Sequence, residues 1–120
     1  MKTSFDHEKL DVYQESIRLV SWVDELLGEI PRSLAVHNQL DRASTSIPLN
    51  IAEGTGRFSG TDQAKFFGIA YKATVQSAAL VDLAVASASA EPSRVEEGRT
   101  LLRRIAAMLT SLSKVAADGA

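Results

Sequence analysis

The sequence predicts an all-α protein, an antiparallel up-down-up-down four-helix bundle in which residues 1–120 form a single domain. Four long segments carry apolar residues at helical spacing, and no stretch keeps the apolar–polar alternation of a strand. The three prolines and seven glycines lie mostly where one segment ends and the next begins. The chain has no cysteine, so its core must hold without disulfides, and 120 residues suffice for that.

The first predicted helix spans residues 11–27. Asp11 is its predicted N-terminal cap with Gln14 as the reciprocal partner, and Gly28 followed by Pro31 ends it. Its apolar residues cover about half of the circumference, which is wider than one core contact needs. We therefore expect this helix to contact a second copy of the chain as well. The residues assigned to that contact are Val12, Leu19, Trp22 and Leu26.

The second predicted helix spans residues 33–53 and contains Pro48, because helical apolar spacing continues on both sides of the proline. A proline inside a helix removes one backbone donor and costs about 3 kcal/mol. The carbonyl of Ser44 therefore loses its partner, and a bend is expected. Polar side chains within about one turn are expected to compensate for the missing bond. They are Ser44, Thr45, Ser46 and Asn50.

The third predicted helix spans residues 61–89, with a capping residue and an acid at Thr61 and Asp62. Between residues 73 and 90, Asp82 is the one charged residue and seven of eighteen residues are alanine. The segment is long enough to span a membrane, but Asp82 and several polar residues argue against it. A helix buried against its own bundle and a second copy is favoured over one with a solvent-exposed alanine face. Ala78 and Ala84 are assigned to the contact with the second copy.

The fourth predicted helix spans residues 93–117 and begins after Pro92, where Ser93 and Glu96 have the spacing of a capping box. Apolar residues separated by 4, 3, 4 and 3 positions predict the side that faces the core. They are Leu101, Ile105, Met108, Leu112 and Val115.

The segment between the second and third helices carries the least generic residues of the chain. They are Pro48, Asn50, Glu53, Gly54, Gly56 and Arg57. One interpretation is a polar pocket formed by Asn50, Glu53 and Arg57. The favoured interpretation is structural: Asn50 and Glu53 secure the bend and the helix end, while the glycines supply positive φ for the exit. The glycine pattern follows a helix rather than a strand, so it is not a phosphate-binding loop.

These residues resemble the motif of a bacterial four-helix-bundle family whose best-known members are encoded by intervening sequences within large-subunit ribosomal RNA genes. The matching residues continue on both sides of the motif: Leu10, Val12–Gln14, Pro31, Gln39–Leu40, Arg42–Ala43, Ser46–Pro48, Asn50–Gly54, Gly56–Arg57, Phe67 and Ile69–Ala70. The resemblance implies an antiparallel bundle that assembles into a ring, a homopentamer. It also extends in fold to the accessory protein of diversity-generating retroelements, which binds a reverse transcriptase and RNA. Family members have a Gly-Ser pair and a Glu where this chain has Lys72, Ala73 and Gln76.

No catalytic, cofactor-binding or metal-binding residue is predicted. Bundles hold di-iron sites through Glu-x-x-His pairs, but Ser4 and Leu34 stand three positions before His7 and His37. No nucleophile elbow is present. We therefore expect a non-enzymatic scaffold or interaction module, with further copies of itself as partner, no membrane contact and, since residues 1–10 carry no secretory pattern, a cytoplasmic location.

The alternative is a nucleic-acid-binding accessory factor. Basic side chains on helix 4 lie opposite or beside its apolar side and would contact phosphates. These candidates are Arg99, Arg103, Arg104 and Lys114. Two observations weigh against this function: Glu96 shares the surface, and 13 basic against 15 acidic residues give a formal charge of −2 rather than a basic excess.

Overall fold

A computed structural model describes residues 5–87 and 89–119 of the chain. Within them all regular structure is helical, which confirms the predicted fold class. The four long helices are α1 (Asp11–Leu27), α2 (Ala35–Thr55), α3 (Gly60–Ala86) and α4 (Glu96–Asp118). Short 3-10 helices, Asp6–Lys9 and Pro92–Val95, precede α1 and α4.

The helix bounds agree with the sequence pattern at α1 and differ elsewhere. α2 starts and ends two residues later than predicted, so Gly54 lies inside it. α3 ends at Ala86 with Ser87 as its C-cap, short of the predicted residue 89; residue 88 lies outside the described residues. α4 starts three residues later, because the 3-10 turn after Pro92 comes first.

Three of the predicted caps, at Asp11, Thr61 and Ser93, are wrong. Leu10, not Asp11, is the N-cap of α1, and Asp11 is the first helical residue, where its carboxylate favours the positive end of the helix dipole. Val95 is the N-cap of α4 and makes no side-chain capping bond, so Ser93 and Glu96 form no capping box. At α3 the capping group is the hydroxyl of Ser59, which accepts the backbone N–H of Asp62 at 3.1 Å.

The helices pack in sequence order around one core. α2 lies between α1 and α3, α4 packs on α3 and α1, and α1 and α3 are diagonal. α3 approaches both of its neighbours more closely than α1 approaches either of its own. Small buried residues of α3 permit the closer approach, whereas the buried side chains of α1 are large and keep its neighbours further away. The small residues are Ala70, Ala73, Ser77 and Ala84; the large ones are Leu19, Trp22, Val23 and Leu26.

Five of the six residues assigned to a contact with a second copy lie in the core of the protomer. Their exposed fractions are at most 5%, which leaves no surface to bury against another chain, so these assignments are corrected. They are Val12, Leu19, Trp22, Leu26 and Ala84. The wide apolar arc of α1 exists because a bundle helix packs against two neighbours, here α2 and α4. Ala78 is partly exposed and packs at the edge of the core.

The core side of α4 is rotated from the predicted one. Leu101 and Ile105 are buried and Met108 and Leu112 are partly buried, but Val115 is 69% exposed. Residues of the adjacent stripe are buried instead: Leu102, Leu109 and Ala116. Residues spaced strictly by seven drift around a straight helix by about 20° per heptad. In addition, α4 packs against both α1 and α3, so two adjacent stripes of α4 are buried.

Candidate functional site

Pro48 lies buried within α2, and the helix continues through it as predicted. The side chains around it bond to backbone carbonyls of the same helix. The Asn50 amide donates to the Ser46 carbonyl at 2.8 Å and to the Ser46 hydroxyl at 3.0 Å. The hydroxyls of Ser44 and Thr45 donate to the Asp41 carbonyl at 3.1 and 2.9 Å. None of these donors is bonded to the Ser44 carbonyl that Pro48 deprives of its partner, so they support the neighbouring turns instead.

Arg57 connects the end of α2 to the start of α3. Its guanidinium pairs with the Glu53 carboxylate at 2.9 Å, across one helical turn, and lies 4.5 Å from the centre of the Phe66 ring. Its backbone carbonyl accepts the Gln63 side-chain amide at 3.0 Å. The guanidinium and the backbone carbonyl of Arg57 therefore both stabilise the α2–α3 turn.

Gly54 and Gly56 serve this turn through size rather than through a positive φ. A Cβ at Gly54 would lie 2.6 and 2.8 Å from ring carbons of Phe67 and 3.2 Å from the Gln63 carbonyl oxygen. Gly56, the C-cap of α2, has φ −79° and ψ −5°, which any residue adopts. The expected left-handed exit is therefore wrong, and the requirement for glycine comes from the close approach of Phe67.

The three polar residues of the segment do not form one pocket together. Asn50 bonds to its own helix, and Glu53 and Arg57 are half-exposed and paired with each other. An open hollow of about 1000 Å³ lies beside this turn; Glu53 and Arg57 line it but Asn50 does not, and the exposed side chains of Leu49 and Phe58 lie at its surface. Among residues 5–87 and 89–119, no three His, Asp or Glu side chains come together as metal ligands would. The arrangement is that of a structural turn.

The basic residues of α4 are divided between ion pairs and solvent. Arg99 pairs with Asp82 of α3, and Arg104 pairs with Glu15 of α1 at 2.5 Å. Arg103 and Lys114 are exposed, and Arg103 reaches only the Thr100 hydroxyl, at 3.4 Å. Two of the four candidate phosphate contacts thus already have carboxylate partners within the bundle.

A further ion pair, which was not predicted from the sequence, connects the turn after α1 to the 3-10 helix before α4. Nε of Arg94 donates to both carboxylate oxygens of Glu29, at 3.0 and 2.9 Å, and its Nη2 donates to one of them at 2.6 Å. These hydrogen bonds lower the pKa of Glu29 and raise the pKa of Arg94. The residues are 65 positions apart, and no local spacing predicts such a pair.

Most exposed residues on the side of α3 that points away from the bundle are apolar, although Lys72 is exposed among them. We define the outer face of α3 as the exposed aliphatic residues Ile69, Val75, Ala79, Leu83 and Ala86. Val75 is 50% and Leu83 54% exposed. By length and composition α3 could cross a membrane. In the bundle, 33% of its most apolar 18-residue stretch is buried. Two apolar sides of α3 were predicted from the sequence, but the predicted contact residues, Ala78 and Ala84, are not on the outer face.

Comparison with known proteins agrees with this architecture. Residues 8–111 match the family described as 23S rRNA-intervening sequence protein. Among solved structures, a protein of unknown function from the S23 ribosomal protein family of Bacteroides thetaiotaomicron superposes with a TM-score of 0.80 at 21% identity. The match covers 86% of this chain and 98% of that one, and at this identity it shows the fold alone. No protein with a curated description matches the chain.

Proposed function

Since this chain belongs to the family of 23S rRNA-intervening sequence proteins, we propose that it is a non-enzymatic cytoplasmic scaffold that assembles with further copies of itself, into a pentamer. The outer face of α3 is the proposed subunit contact. Family membership supports the assembled state through the resemblance described above. The exposed apolar residues of α3 support this position for the subunit contact.

The observation that carries the proposal is the composition of the outer face of α3. From Val75 to Ala86, the exposed positions at helical spacing are Val75, Ala79, Leu83 and Ala86, with Gln76 and Asp82 beside them. Asp82 is held by Arg99 at the edge of the face, so its charge is compensated there. Contiguous exposed apolar residues with a polar rim are typical of a protein-binding surface.

The small residues of this face favour another helix as the occupant. Ala79 and Ala86 alternate with the larger Val75 and Leu83, and all four are exposed. Small residues let a second helix approach closely, and the larger side chains then pack into the spaces beside it. A second copy of α3 or of a neighbouring helix supplies a surface of this kind.

The test is native mass spectrometry of the protein purified from its own host without nuclease, together with Val75→Arg and Leu83→Arg variants. We expect the wild type at five times the chain mass and both variants at the mass of one chain, because an arginine there would be buried without a partner. Leu49→Arg is the control: Leu49 is 66% exposed on α2, away from the outer face of α3. It should assemble like the wild type.

Each result decides between functions. A wild type found only as single chains, or arginine variants that assemble unchanged with native circular dichroism, would overturn the proposed contact. Additional heterogeneous mass that ribonuclease removes would instead favour the RNA-binding alternative. In that case exposed Arg103 and Lys114 are the first residues to replace, because Arg99 and Arg104 have carboxylate partners.

A further inference from the structure

A groove of about 530 Å³ lies between α1 and α4, separate from the outer face of α3 because α1 and α3 are diagonal in the bundle. Trp22 and Leu101 contribute apolar surface to it, and Ser21 and Thr100 contribute hydroxyl groups. The ion pairs Glu15–Arg104 and Glu29–Arg94 show that the two helices run antiparallel. We define the α1–α4 groove by these residues and the four charged ones described next.

Charges of opposite sign lie at the two ends of the α1–α4 groove. Arg18 of α1 and Arg104 of α4 line one end, and Glu25 and Glu97 line the other. Each helix separates its arginine from its glutamate by seven residues, which is about 10 Å at 1.5 Å per residue. The groove is therefore dipolar along its length.

Neither end is neutralised by its neighbours. Glu15 lies 2.5 Å from Arg104 and 3.7 Å from Arg18, so one carboxylate faces two guanidiniums and a positive charge remains. At the other end, Glu25 and Glu97 both contribute to raising the pKa of Arg94, which places them near one cation. That cation is already bonded through three contacts to Glu29. A negative charge remains there.

Trp22 lines the α1–α4 groove between its two charged ends. The residue is 5% exposed, and its indole Nε1 is buried with no hydrogen-bond partner among residues 5–87 and 89–119. Because this nitrogen is out of reach of a ligand in the groove, the groove offers its hydrogen bonds through exposed hydroxyl groups instead. The hydroxyl of Ser21, which is exposed, stands beside it in the lining.

We propose that the α1–α4 groove binds a short zwitterionic peptide of about three residues. Its carboxylate pairs with Arg18 and Arg104, its terminal ammonium pairs with Glu25 and Glu97, and a carbonyl between them accepts from the hydroxyl of Ser21. An extended tripeptide spans about 10 Å, which matches the separation of the charged residues along each helix axis. The apolar surface of Leu101 favours an apolar central side chain. This site goes beyond the proposed scaffold function and does not depend on it.

The single tryptophan of the chain reports directly on this site. The experiment titrates the full-length protein with the free tripeptide Ala-Leu-Ala and follows the emission of Trp22. We expect a saturable change at micromolar to millimolar peptide. Two-dimensional NMR should place the largest amide shifts around Ser21 and Thr100. The same peptide acetylated at its amino end and amidated at its carboxyl end should bind at least tenfold more weakly, because it lacks both charges.

Variants of the two ends test the orientation. Arg18→Gln and Glu25→Gln should each weaken binding by about fivefold, as expected for one exposed charge pair. Both residues are exposed on α1, and glutamine keeps helix propensity. Arg42→Gln, an exposed arginine on α2 outside the groove, should bind like the wild type. Absence of saturation up to about 10 mM, equal binding of the blocked peptide, or wild-type affinity in either groove variant would overturn the site.

Discussion

At the scale of single residues, the glycines of this chain differ in what they permit. Gly54 lies in the last turns of α2 under the ring of Phe67, so its missing side chain is what allows α2 and α3 to come together there. Gly68 lies inside α3, and a Cβ at that position would meet nothing within 4 Å. One glycine is therefore required by packing, whereas the other only weakens its helix.

This difference predicts opposite effects of the same substitution. Gly54→Ala should lower the free energy of unfolding by about 1–3 kcal/mol, because Phe67 and the Gln63 carbonyl must shift. Gly68→Ala should raise it by up to about 1 kcal/mol through helix propensity. Urea unfolding followed by Trp22 fluorescence measures both values. A stabilised Gly54→Ala variant would show that Phe67 moves freely and that the turn is loosely packed.

Contacts between residues close in sequence could be predicted where both residues lie within one turn of a helix. Helical spacing across Pro48 correctly indicated that α2 continues, and Glu53 and Arg57 are four residues apart. The glycines between them were expected to break the helix, yet it continues to Thr55, so the pair forms. The requirement at Gly54 depends on Phe67, which approaches from another helix, and no local pattern carries that information.

At the scale of elements, helix ends were predictable where a sequence signal acts alone. Gly28 ends α1 as expected, whereas the turn after Pro92 first forms a 3-10 helix and delays α4. Which side of each helix is buried was harder to predict. α1 and α4 each pack against two neighbours, so Val12 and Leu19 are core residues and Val115 is not. Periodicity identifies an apolar arc but not how many neighbours share it.

The contact between Glu29 and Arg94 predicts a specific pH dependence. Because the pKa of Glu29 in the folded protein lies below its ordinary value of 4.5, the pair stabilises the fold above that value. Its contribution is lost as the pH falls through the lowered pKa. Arg94→Gln should return the pKa of Glu29 towards 4.5, measured by NMR titration of the carboxyl carbon. The stability difference from the wild type should shrink in acid.

The control for this titration is Arg103→Gln, which removes an exposed arginine that has no carboxylate partner among the described residues. It should leave the pKa of Glu29 unchanged. Equal pKa values of Glu29 in the wild type and in Arg94→Gln would contradict the assigned cause of the shift.

At the scale of the whole molecule, the ion pairs between helices were outside the reach of sequence reasoning. Arg99–Asp82, Arg94–Glu29 and Arg104–Glu15 join residues 17, 65 and 89 positions apart. Their formation depends on the order and direction of helix packing. For the same reason the basic residues of α4 could be identified from the sequence, but not their partners. The fold class, in contrast, could be predicted because it depends on apolar patterns within single helices, and the structure confirms it.

An assembly through the outer face of α3 would make thermal stability depend on protein concentration. Unfolding would then release each chain from its partners, so a tenfold higher concentration should raise the Tm by about 3–6 °C. Leu83→Arg should have a Tm that does not change with concentration. Differential scanning calorimetry over a hundredfold concentration range measures this. A constant wild-type Tm would exclude assembly coupled to folding in that range.

The fit between Trp22 and Gly98 also determines the register in which α4 can join the bundle. A Cβ at residue 98 would come within 2.2 Å of two ring carbons of Trp22, so that ring needs a position on α4 without a side chain. Sliding α4 by about one turn would bring Arg94 or Leu102 to the same place, and neither could be accommodated. Gly98 thus allows one alignment of α4 with α1, whereas steric clashes with Trp22 disfavour the neighbouring alignments. A larger residue at 98 should therefore weaken the native contact, and the native alignment would lose its advantage over the misaligned ones.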